Sequence, residues 1–119
     1  MRIQLEHREE ILTATVTGTV EFVVALEMFK TTIDSATEKG CSAILIDCSD
    51  LEGELSTADR YTLGEETANH ESRGRARHRI ALVGKPPTFD GFGAMVARNR
   101  GVNVRIFPTR EGALEWLGR

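Results

Sequence analysis

The sequence predicts an α/β domain built on one mixed sheet: an N-terminal antiparallel hairpin, three parallel strands and four helices. Three observations predict it. Two short segments at the start alternate polar and apolar residues, the pattern of half-buried strands. Three later short apolar runs, around Ile44, Leu82 and Val104, read as buried strands, the first of them continuous as expected of a strand covered on both faces. Those runs alternate with segments of helical period, and strands alternating with helices form right-handed parallel crossovers.

Residues 2–6 place Ile3 and Leu5 on one face, and residues 10–17 place Leu12, Ala14 and Val16 on one face. The short connection His7-Arg8-Glu9 makes the pair a hairpin, which Gly18 should end. Thr19 is the expected N-cap of a long helix reaching Lys39. Phe22, Leu26, Phe29, Ile33 and Ala36 fall at helical spacing as its core stripe, and Gly40 is its stop. Residues 42–48 form the first buried strand. A short acidic loop follows, and Ser56 opens a second helix over 57–71 with a weak stripe of Tyr61, Leu63 and Ala68. Residues 79–84 hold the second buried strand. Pro86-Pro87 breaks the chain before a third helix over 89–100, which Gly101 ends. Residues 102–107 are the third buried strand. Pro108-Thr109 leads into a last helix that packs through Ala113, Leu114, Trp116 and Leu117 and stops at Gly118.

At 119 residues the chain is expected to be one domain spanning 1–119. Its net charge of -3 gives no electrostatic footprint for nucleic acid as the main partner. The opening Met-Arg-Ile-Gln-Leu-Glu reads as a strand rather than a signal peptide, and no run is apolar enough for a membrane span. A cytoplasmic protein with reduced thiols is the expectation. Cys41 and Cys48 lie at opposite parity around one strand, so they should face opposite sides and form no disulfide.

Chemistry in open α/β sheets gathers at the carboxyl ends of the strands. The segment from Ile44 to Thr57 therefore places Asp47, Ser49, Ser56 and Thr57 around one crevice. Ser56-x-x-Asp59 fits a helix capping pattern. A phosphate on such a serine would also sit in a favourable helix-terminal environment. Asp50, Glu52 and Glu54 make the loop acidic, but their spacing is not that of a calcium loop, and no metal or cofactor is expected. Cys48 reads as a buried, inert thiol. The run Arg73-Gly74-Arg75-Ala76-Arg77-His78-Arg79 suits the C-terminus of the helix before it. Without aromatics it is a poor platform for single-stranded nucleic acid. Phe89, Phe92, Met95 and Val96 give the third helix an apolar face. With Gly91 and Gly93 lowering its stability, that helix could act as a lid over an apolar pocket.

The chain resembles the STAS domain family, the anti-sigma-factor antagonist or SpoIIAA-like fold, in its STAS/SEC14-like branch. The residues that carry the likeness are Val16-Thr17-Gly18-Thr19-Val20, Ile44-Leu45-Ile46-Asp47-Cys48-Ser49-Asp50-Leu51, and the ending from Val104 to Leu117 with its Ala113-Leu114-Glu115-Trp116-Leu117 helix. The resemblance implies a non-enzymatic regulatory or protein-binding module with a kinase or anti-sigma-like partner. It also places Ser56 at the serine that partner kinases modify, within an Asp-Ser-x-Gly pattern. Here Leu55 stands where that pattern has aspartate, and Ala58 where it has glycine. The alternative function is a carrier or sensor of a small, lipid-like apolar ligand held between the sheet and the helix at 89–100. Oligomeric state is open. No nucleophile–base pair is legible that would make the chain an enzyme.

Overall fold

The computed structural model describes residues 1–118. Its elements are β1 (Arg2–Arg8), β2 (Ile11–Thr19), α1 (Phe22–Lys39), β3 (Ala43–Glu52), α2 (Thr57–Arg73), β4 (Arg79–Val83), α3 (Phe92–Asn99), β5 (Asn103–Phe107) and α4 (Arg110–Trp116). The five strands lie in the order β1-β2-β3-β4-β5. β1 and β2 are antiparallel, and every later neighbour pair is parallel. The expected hairpin and the three adjacent parallel strands are both present.

Side-chain alternation explains the layers. Ile44, Ile46 and Cys48 point into a core shared with Ala25, Phe29, Ile33, Leu63 and Ala97 of α1, α2 and α3. Ala43 and Leu45 point the other way, where they meet Ala113 and Leu117. Burial on both faces makes β3 read as a continuous apolar run. β2 alternates because Leu12, Ala14 and Val16 are fully buried, whereas Thr13, Thr15 and Thr17 face the side that α4 leaves half open.

Several expectations fail for local reasons. Gly18 does not end β2: it has φ 101° and stays within the strand. Thr19 pairs with Glu52, so it cannot cap α1. Glu21 occupies that position with no side-chain cap bond. The buried stripe of α1 is Ala25, Met28, Phe29, Thr32, Ile33 and Ala36, with Phe22 and Leu26 at its margin. The acidic stretch after Asp47 is strand, not loop. After a register shift, Asp50, Leu51 and Glu52 pair with Thr17, Gly18 and Thr19. Tyr61 is exposed, and the covered face of α2 is Leu63, Gly64, Thr67, Ala68 and Glu71. α3 starts at Phe92, with Gly91 as its N-cap at φ 89°.

Gly93 has a packing reason that the sequence does not show. A Cβ on Gly64 would overlap the Gly93 carbonyl oxygen and approach Val96 Cβ to 3.0 Å. A Cβ on Gly93 would lie 3.1 Å from the Arg60 carbonyl oxygen. The two glycines thus let α2 and α3 cross backbone to backbone. Cys41 and Cys48 are both free and share the helix-side core, rather than facing opposite sides. Strand alternation does not reach Cys41, because β3 begins only at Ala43. Among the described residues no helix is long and apolar enough to cross a membrane.

Candidate functional site

The four polar residues expected in one crevice fall into two separate pairs. Asp47 shares its face with Ala43 and Leu45, so its carboxylate points toward α4. Oδ1 accepts from the Ser49 backbone N–H at 3.0 Å and from Ser49 Oγ at 2.6 Å. Oδ2 accepts from Arg110 Nη1 at 2.8 Å. Burial alone would raise the Asp47 pKa, but the Ser49 bonds and the Arg110 guanidinium outweigh it and hold the carboxyl below its ordinary value. The stability this supplies is full above the unfolded carboxylate value of about 3.9 and is lost as pH falls through the lower folded value. In urea titrations, wild type should therefore exceed Asp47→Asn by a constant margin from pH 7 down to about pH 4, and the margin should close below that.

Cys48, next in the chain, faces the opposite layer. Burial, with the Asp47 charge adding to it, pushes its thiol up to about 12. It should stay unlabelled by a thiol reagent at pH 8 in the native protein and react once urea unfolds the chain.

Ser56 and Thr57 lie beyond the end of β3, at the start of α2, and both are exposed. No hydrogen bond among the described residues joins them to Asp47 or Ser49. Ser56 Oγ accepts from the Asp59 backbone N–H at 3.0 Å, satisfying one orphan donor of the first turn. Ser56→Ala should lower stability by about 0.5–2 kcal/mol. Ser56→Asp should cost much less by thermal or urea unfolding, since aspartate also caps and suits the helix dipole.

The loop before Ser56 is anchored on several sides. Leu55 is buried in the helix-side core. Thr88 Oγ1 donates to Gly53 O at 2.6 Å and to Leu51 O at 3.3 Å. Arg60 donates to Asp90 Oδ2 at 2.6 Å and to the Pro87 carbonyl, and lies 3.9 Å from a Glu54 oxygen. Thr88 and Arg60 therefore fasten residues 85–91 to the Ser56 loop. The sequence contains no local signal for this, because each bond spans about 30 residues and neither residue belongs to a motif.

The proposed apolar pocket is small. About 50 Å³ is free beneath α3, among Phe29, Leu55, Leu63, Phe89, Ala94 and Val104. Ligand pockets usually run to about 300–1,000 Å³. Of the four residues expected to line it, Phe89 does; Phe92, Met95 and Val96 do not, and Met95 is exposed. A wider polar groove of about 540 Å³ opens between the hairpin and α4, lined by Glu6, Arg8, Thr13 and Arg110 among others. Its mixed charges select no single ligand class. The basic run is largely structural. Arg77 donates to the carbonyls of Glu71, Ser72, Gly74 and Ala76 at the end of α2, and Arg79 donates to Leu117 O.

No protein-family model matches the chain, and neither does any curated protein. Several solved structures do. An anti-sigma factor antagonist from Mycobacterium paratuberculosis superposes with a TM-score of 0.66 at 17% identity, over 99% of this chain and 94% of that one. A protein from Shewanella loihica PV-4 with a SpoIIAA-like fold gives 0.54 at 21% identity, over 98% and 92%. The Bacillus cell fate determinant SpoIIAA, in its phosphorylated form, gives 0.53 at 18% identity, over 97% and 98%. Identities this low establish a shared fold, and the strand order, the N-terminal hairpin and the helix layers all agree with it: this chain has a SpoIIAA-like fold.

Proposed function

We propose that this chain is a non-enzymatic regulatory module that binds a protein partner through the surface around Ser56 and is switched by phosphorylation of that serine. The carrying observation is an exposed hydroxyl at the N-terminus of a 17-residue helix, on a loop fastened by Leu55, Thr88 and Arg60. A phosphate there would meet the free N–H groups and positive dipole end of α2. The similar Bacillus protein has been solved in a phosphorylated form, which supports the reading by analogy.

Leu55 and Ala58, which break the Asp-Ser-x-Gly pattern, change how the serine would be recognised. Leu55 is turned into the core, so it anchors the loop and presents nothing to a kinase. The polar groups around Ser56 are instead the exposed Glu52 and Glu54 and the half-buried Asp59. A kinase would read that acidic rim. A phosphate adds about -1.5 to -2 charge, which a docked partner would have to desolvate. Partner binding should therefore weaken on modification. The cramped pocket beneath α3 gives the lipid-carrier alternative no specific support.

The test compares wild type, Ser56→Ala and Ser56→Asp as baits in the source cell, with circular dichroism confirming that each is folded. The reading expects a partner retained by wild type and Ser56→Ala and lost with Ser56→Asp. Identical partners on all three baits would refute it.

A further inference from the structure

β1 forms one edge of the sheet: β2 pairs with its inner side, and no described residue pairs with its outer side. All seven of its residues are exposed. An unpaired edge of this length is a template for another strand unless something covers or twists it. The opposite edge is partly closed. There Arg98 Nη1 donates to Val104 O at 3.3 Å, and the Arg105 guanidinium lies over the Trp116 ring.

We propose that β1 pairs antiparallel with β1 of a second copy of this chain, giving a twofold dimer with one continuous ten-stranded sheet. The argument is the self-complementarity of Arg2-Ile3-Gln4-Leu5-Glu6. In an antiparallel pair centred on Gln4, Arg2 of each copy faces Glu6 of the other. Ile3 faces Leu5, and the two Gln4 side chains meet on the axis. Directly opposed residues share a face, so each match is a real neighbour contact. Ile3 and Leu5 already lie on the helix side, opposite Val16 and Ala14, and are 37% and 44% exposed. Pairing would extend the helix-side core across the axis with apolar contacts and place two ion pairs on the other face.

Two competing registers are worse. Centring on Leu5 sets Arg2 against Arg8 and Ile3 against His7. A one-residue slip from the Gln4 centre sets Ile3 against Glu6 and puts apolar and charged residues on mixed faces. The interface is isologous, so a single substitution acts at two symmetric places.

Sedimentation of the full chain from micromolar to millimolar concentration tests this, with circular dichroism confirming the fold of each variant. Wild type should move toward twice the chain mass. Glu6→Arg or Arg2→Glu puts like charges into both symmetric pairs and should weaken association by about tenfold or more. The double exchange, Arg2→Glu with Glu6→Arg, restores complementarity and should recover the dimer. A wild type that stays monomeric at millimolar concentration overturns the proposal. So does a Glu6→Arg variant that dimerises as wild type does, or a double exchange that stays monomeric.

Discussion

Glu71→Ala should destabilise the fold by about 2–6 kcal/mol, since it strands two buried donors at about 1–3 kcal/mol each. Glu71 lies in the covered face of α2, and His78 stands just before β4; both are almost wholly buried. The His78 backbone N–H donates to Glu71 Oε2 at 2.7 Å, and His78 Nδ1 lies 2.9 Å from Oε1. On its far side, His78 Nε2 is 3.3 Å from Thr37 Oγ1 of α1. The carboxylate therefore joins the end of α2 to the start of β4, and the imidazole extends the link to α1. Glu71→Gln keeps one acceptor and should fall between wild type and alanine. Urea unfolding at pH 7 gives the numbers, and a loss below about 1 kcal/mol for alanine would mean that these bonds are not made.

Gly64→Ala should also destabilise, by about 1–3 kcal/mol, and here the sign is the informative part. In an open helix, alanine for glycine gains about 1 kcal/mol. In α2 the added Cβ meets the backbone of Gly93 and the Cβ of Val96, neither of which can swing aside. α3 would have to move off α2 as a unit. Gly93→Ala, whose nearest atom is the Arg60 carbonyl oxygen at 3.1 Å, should show the same sign with a smaller magnitude. Thermal unfolding in parallel gives both, and a stabilised Gly64→Ala would show that the helices do not cross this closely.

Strand order was legible because β4 and the first half of β3 are buried on both sides, which leaves continuous apolar runs, whereas β5, expected as a third buried strand, alternates, with Asn103 and Arg105 exposed. The second half of β3 was not legible. Asp50 and Glu52 face solvent and only Leu51 is covered, so three paired residues read as an acidic loop. The start of α1 was misplaced for the same reason: Thr19 has a capping side chain, but its backbone belongs to the sheet. Glycines mislead in a different way. Gly93 looks like weakness in a helix, whereas its missing side chain makes room for Arg60 and Gly64 on a distant segment.

At the candidate site, Ser56 was legible through a local pattern, Ser56-x-x-Asp59, and the expected cap bond is present. The single crevice was not, because the face a residue takes depends on strand parity and on which helix covers it. Asp47 turns to α4 and an arginine 63 residues away, and no spacing rule reaches that far. Thr88 and Arg60, which fix the Ser56 loop, are long-range partners of the same kind.

The central claim is that Ser56 is a modified residue and more than a helix cap. It is tested most directly by mass spectrometry of the chain recovered from its own cell, with the phosphate localised by fragmentation of the peptide holding Ser56. The account predicts a phosphate on Ser56 in part of the population and none on the neighbouring Thr57. A fully covered peptide that carries no phosphate on Ser56 under any growth condition would contradict it.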